Sequence, residues 1–153
     1  MKLYLGSDHA GFLLKEAIKS WLLQQGHEVM DFGADENVAG DDYPDFVLPV
    51  AKAVAEADNV DTTRGIVFGG SGEGEAITAN RLDGVRATVY YGPDPEIVRL
   101  GRAHNNANML SLGARFLSVE QAEKAVRVWL ETPYEGGRHD ARLHKMDEMT
   151  GEI

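Results

Sequence analysis

Short apolar runs alternate with longer stretches of helical period along the whole chain, and this alternation limits the fold more than any other feature. Lys2 to Leu5 read as a buried strand stopped by Gly6. Gly11 to Gln25 place Phe12, Leu14, Ile18, Trp21 and Leu22 at helical spacing, with Gly26 where a C-terminal cap belongs. The same reading predicts strands over 28–32, 64–68, 86–90 and 109–112, and helices over 45–57, 74–81, 95–104, 119–131 and 140–148. Strands that alternate with helices imply βαβ units, so the expected fold is α/β: a five-stranded parallel sheet with helices on both faces, in one domain over residues 1–153. In such folds ligands sit beyond the carboxyl ends of the strands. Here the polar clusters follow strands one, three, four and five.

Composition narrows the function classes. Lys plus Arg is 15 and Asp plus Glu is 25, a net charge of −10, so a phosphate backbone repels the chain and no nucleic-acid partner is expected. There is no cysteine, which removes disulfides, thiolate catalysis and cysteine metal sites together. The first residues turn polar after Leu5 and no apolar run approaches the roughly 18 residues of a membrane span. The expectation is a cytoplasmic protein with no membrane partner.

Five segments are able to carry chemistry. In Gly6–Gly11, Asp8 and His9 follow the first strand, where they suit a ligand hydroxyl and an anion at a helix N-terminus; alternatively Ser7 or Asp8 only caps the helix. Phe68–Glu75 holds four glycines in six residues, a backbone that approaches a ligand closely and turns several N–H groups into one hollow. It is neither a P-loop nor the dinucleotide fingerprint, and its two acids argue against a pure phosphate cradle. N–H groups of Gly70, Gly72 and Gly74 beside a carboxylate suit a developing oxyanion and a proton transfer, with Glu75 as base and Ser71 as a second donor; a tight turn with solvated acids is the alternative. His104, followed by Asn105, Asn106 and Asn108, is either a polar site or a cation on a helix C-terminus. Arg115 suits a phosphate or a surface acid. Arg138 and Arg142, four apart in the one basic stretch, share a helix face and suit a phosphate clamp, or else a solvated helix end. Trp21 and Trp129 read as core, and His27 and His144 as surface. Asp31, Asp35, Glu36, Asp41 and Asp42 read as a solvated acidic string, and no metal is inferred because the histidines lack ligand spacing.

A carboxylate base in an oxyanion nest, a histidine and an arginine clamp together fit proton abstraction beside a carbonyl in a phosphorylated small molecule. At these same residues the chain resembles the ribose-5-phosphate isomerase B family, which includes galactose-6-phosphate isomerase subunits. The resemblance runs in order through Gly6–Phe12, Asp42–Asp45, Gly69–Gly72, Arg102–Asn105, Leu112–Arg115 and Glu135–His139. It implies a three-layer Rossmann-like sandwich that interconverts ribose 5-phosphate and ribulose 5-phosphate through a cis-enediolate, with no metal or cofactor. It also implies a homodimer or homotetramer with its active sites between subunits. By position, Asp8 matches a contact to the sugar oxygens, and His9, Arg138, Arg142 and Arg115 match the phosphate site. His104 matches a ring-opening histidine, Asn105 a substrate-hydroxyl contact and Tyr43 a site-lining tyrosine.

One departure stands out. Many members carry a cysteine base where this chain has Gly69 or Gly70. The chain resembles instead the subgroup whose base is a glutamate further along the loop, at Glu75, with Glu73 as the rival acid. The alternatives are isomerisation of another aldose phosphate (allose 6-phosphate, galactose 6-phosphate or a four-carbon sugar phosphate) or a non-catalytic sugar-phosphate-binding module.

Overall fold

The structure is a computed structural model that describes residues 1–59 and 61–150. Five strands, β1 (Lys2–Ser7), β2 (Glu28–Asp31), β3 (Thr63–Gly69), β4 (Ala87–Tyr90) and β5 (Met109–Gly113), form one all-parallel sheet in the order β2-β1-β3-β5-β4. Six α-helices connect or follow them: α1 (Phe12–Gln24), α2 (Tyr43–Ala55), α3 (Glu73–Ala79), α4 (Glu96–Asn105), α5 (Val119–Glu131) and α6 (Asp140–Thr150). Among the described residues one 3-10 turn, Gly137–His139, leads into α6. The expected α/β sandwich is therefore present, with every predicted strand and helix in place. No helix among the described residues is long and apolar enough to cross a membrane.

The period of two along the strands divides the core. Leu3 and Leu5, Ile66 and Phe68, and Leu110 and Leu112 point to one face and pack with Ile18 and Leu22 of α1, Val98 of α4 and Val126 and Trp129 of α5. Tyr4, Val67 and Met109 point to the other, against Val47, Val50 and Val54 of α2 and Ala79 of α3. Trp129 is fully buried, with its indole N–H on the Ala107 carbonyl, while Trp21 is only half-buried and lies under the Arg127 guanidinium.

Local signals explain the helix ends. Ser118 and Gln121 form a reciprocal capping box that starts α5 at Val119, as predicted. Asp42, in an extended conformation, precedes α2, and Pro44 in the first turn lets the helix begin at Tyr43, two residues before the predicted start. The helix predicted from Gly74 starts at Glu73, which puts Glu75 on its first turn and not in the loop. Asn106 adopts a left-handed conformation and ends α4 directly after Asn105.

Candidate active site

The strand order reverses between β1 and β3: from there β2 lies to one side and β5 and β4 to the other. Helices leave the carboxyl ends of these two strands toward opposite faces, so a crevice opens there. Nine of the predicted residues come together at this carboxyl edge. Asp8 and His9 follow β1; Gly70, Ser71, Gly72, Gly74 and Glu75 follow β3; Arg115 follows β5; and Tyr43 opens α2.

Glu75 is only 4 % exposed. Its carboxyl fills the hollow left by Gly69: a Cβ added there would lie 1.7 Å from Oε1 and 2.0 Å from Cδ. Burial pushes its pKa above the ordinary glutamate value, and the nearby charge of Asp8 pushes it further, against the pull of a backbone N–H. Glu73, by contrast, is exposed. Gly72, at φ 82°, takes the left-handed conformation that starts α3, and its carbonyl accepts from Ser111 Oγ at 2.6 Å. Ser71 stands exposed at the lip and its Oγ accepts the Glu73 N–H at 3.3 Å. The Tyr43 ring covers Gly74, and the Arg115 guanidinium covers Gly70, whose carbonyl accepts the Arg115 N–H at 3.1 Å.

Asp8 fills the plainer role as well. It is 7 % exposed, and Oδ1 accepts from the N–H groups of Ala10 and Gly11 at 3.0 and 3.2 Å, closing the turn into α1. Its Oδ2 stands 4.0 Å from His9 Nδ1. The acidic string was expected to be solvated, and two of its members are not. Asp31 binds the buried Lys15 ammonium through both oxygens at 2.8 Å, and these ion pairs with Lys15 and Lys19 outweigh burial and hold its pKa below the usual value. Asp41 reaches back to His9, accepting its ring Nδ1–H at 2.5 Å and its backbone N–H at 2.9 Å. A contact between residues 32 apart has no local sequence signal.

The remaining four predicted residues, His104, Asn105, Arg138 and Arg142, lie at the opposite edge. Helix α4 leaves the carboxyl end of β4 and returns to the amino end of β5, and its ten residues span about 15 Å. The buried Arg102 guanidinium donates to the Asn106 side chain and to the Ala107 carbonyl, which fixes the end of α4 that presents His104 and Asn105. Glu135 donates its N–H to the Ala103 carbonyl and sets Oε2 3.6 Å from His104 Nε2. The His139 ring stacks on His104, centroids 4.4 Å apart and planes 12° from parallel. Burial, with the charges of His104 and Arg138 beside it, lowers the His139 pKa. Arg138 sits in the 3-10 turn and not on an α-helix, but the Arg142 guanidinium still reaches its carbonyl, and both side chains are exposed. Asn105 lines a cleft of about 660 Å³ between α6 and residues 80–88.

Two triads of side chains among the described residues bring possible metal ligands within 4.8 Å of one another: Asp8, His9 and Asp41, and His104, Glu135 and His139. In the first, His9 Nδ1 is already hydrogen-bonded to Asp41 and one oxygen of Asp8 serves two backbone N–H groups. In the second the rings are stacked, so their in-plane lone pairs do not converge on one point. Neither triad has the geometry of a closed metal site.

The family model described as Ribose/Galactose Isomerase matches residues 3–146. Ribose-5-phosphate isomerase B of Mycolicibacterium paratuberculosis is 41% identical over 150 residues, covering 97% of this chain and 91% of the relative. That of Escherichia coli is 41% identical over 142 residues, covering 93% and 91%. Among solved structures, ribose-5-phosphate isomerase B from Mycoplasma genitalium with bound ribulose-5-phosphate is similar at a TM-score of 0.93 and 36% identity, over 99% of this chain and 97% of that one. The Clostridium thermocellum enzyme is similar at 0.90 and 42% identity, over 99% of both chains. The chain belongs to the ribose/galactose isomerase family.

Proposed function

We propose that this chain is an aldose–ketose isomerase that interconverts D-ribose 5-phosphate and D-ribulose 5-phosphate, with Glu75 as the base. Family membership supports the reaction, and the observation that carries the assignment of the base is the Glu75 carboxyl, buried in the Gly69 hollow at the switch point. Burial raises the proton affinity of Glu75, which brings a carboxylate closer to the strength a carbon acid demands. Glu73 is exposed on the rim.

The two edges act together only between chains. One chain supplies Glu75, Ser71, Asp8, His9, Tyr43, Arg115 and the Gly70–Gly74 backbone; its partner in a homodimer supplies His104, Asn105, Arg138 and Arg142. The partner's His104 assists opening of the furanose ring. Glu75 then removes the C2 proton, and the negative charge spreads over the enediolate oxygens. Ser71 Oγ–H and the N–H groups of Gly70, Gly72 and Gly74 stabilise that charge, which forms only as the reaction proceeds. Glu75 returns the proton to C1 while the hydroxyl proton passes from O2 to O1, giving the ketose. His9, Arg115 and the partner's Arg138 and Arg142 hold the phosphate, so binding energy remote from C1 and C2 fixes their orientation. A charged sugar phosphate does not cross a bilayer unaided, so the enzyme belongs with its substrate in the cytoplasm.

Proton NMR of ribose 5-phosphate in heavy water, with excess chelator present, tests this reading. Ribulose 5-phosphate carrying solvent deuterium is expected. No conversion and an undiminished C2 proton signal would overturn it and call for other aldose phosphates.

A further inference from the structure

We propose that Asp41 is a positioning residue for substrate phosphate, acting entirely through His9. The proposal rests on the placement of His9 at the phosphate in the function above. The Asp41 side chain is 16% exposed, and a single oxygen, Oδ1, receives both the backbone N–H of His9 at 2.9 Å and its ring Nδ1 at 2.5 Å. An ionised carboxylate only accepts hydrogen bonds, so Nδ1 must carry a proton in this pair. That settles which ring nitrogen is committed to the protein: Nδ1 donates to Asp41, and a phosphate, which only accepts, is held by the Nε2–H of the doubly protonated ring.

Holding His9 by two bonds to one atom fixes both its backbone and its ring plane. An imidazole that hangs on a surface turn loses torsional freedom when it grips an anion; one already clamped has lost it beforehand. Asp41 also ends the 33–42 loop next to Asp42 and Tyr43, so the same bonds tie the start of α2 to the β1–α1 turn. That second role is purely structural, and the experiment must separate it from the first.

Four proteins separate them: Asp41→Ala, Asp41→Asn, His9→Ala and the double variant His9→Ala/Asp41→Ala. The readouts are kcat and KM for ribose 5-phosphate and the inhibition constant of inorganic phosphate. Asp41→Ala is expected to raise KM and the phosphate inhibition constant together by about tenfold, with kcat within about twofold. Asp41→Asn, which keeps an acceptor oxygen, should recover most of that loss. In the His9→Ala background, removing Asp41 should cost nothing further. A full Asp41→Ala penalty in that background, or a loss confined to kcat, overturns the proposal and leaves Asp41 as a loop tether. An unchanged phosphate inhibition constant in His9→Ala would overturn the placement of His9 itself, a result distinguishable from the first. Nitrogen-detected NMR of the wild-type His9 ring at pH 8 gives an independent check: the neutral ring should carry its proton on Nδ1, and a proton on Nε2 overturns the proposal.

Discussion

Glu75 at the carboxyl edge is 4 % exposed and pressed against the Gly69 backbone, whereas Arg138 in the 3-10 turn and Arg142 on α6, at the amino edge, are exposed. The contrast suits the roles proposed above for the two ends. A base for a carbon acid gains from desolvation and from a fixed distance to the reacting carbon, and a rigid sheet edge supplies both. An anion clamp needs long side chains with several donors that close around a ligand arriving from solvent. In the function proposed above, the base stands on a sheet edge and two of the four phosphate-holding groups, Arg138 and Arg142, reach the substrate from the far edge of a second copy.

The sharpest way to break this contrast is to neutralise the base. Glu75→Gln should lower kcat about a thousandfold and leave KM nearly unchanged, since a general base contributes on the order of 10²–10⁴. The variant should also unfold at a higher temperature at neutral pH. The sign follows from the raised pKa: a carboxyl that the fold prefers neutral costs stability once pH rises through its folded pKa, and glutamine removes that cost. For the same reason the acid limb of kcat/KM should fall above the ordinary glutamate range, and a limb within that range would count against a desolvated base.

The proposed division of the site between chains predicts complementation. Co-expressed Glu75→Gln and His104→Ala chains, each feeble alone, should give back about a quarter of wild-type activity: half the dimers are mixed and each has one intact site of two. Failure to recover any activity would place both groups in one chain. Gly69→Ala should cost kcat about a hundredfold with the fold retained, because the new methyl takes the place of the carboxyl. Arg142→Ala should raise KM about tenfold with kcat little changed, as expected for one charge-assisted contact to the phosphate. Glu73→Gln should alter kcat by less than about threefold, since Glu73 is exposed beside the site.

Local signals made most of the architecture legible. The alternation of short apolar runs with helical periods made the order of strands and helices legible, and the glycine cluster marked the loop after β3. Eight of the nine carboxyl-edge residues were legible because they follow strands, where parallel sheets place ligands, whereas Tyr43 came only from the family resemblance. What escaped was long-range. The order in which β5 slips between β3 and β4 has no local marker. The Lys15–Asp31 pair and the Asp41–His9 pair join residues from different elements, and a string of acids in a loop gives no hint which of them turns inward. The burial that distinguishes Glu75 from Glu73 became visible only once α3 was known to start at Glu73, which turns one acid toward the sheet and the other toward water.

The fit of the Glu75 carboxyl into the Gly69 hollow has a chemical consequence outside catalysis. In the family pattern that this chain departs from, the corresponding strand end carries a thiol, a group that peroxides oxidise and electrophiles alkylate. A carboxylate has no such oxidation ladder, and this chain has no cysteine anywhere. An isomerase built this way should keep turning over during an oxidant burst that silences a thiol-based counterpart, which makes redox tolerance a consequence of glycine in place of cysteine at position 69 or 70.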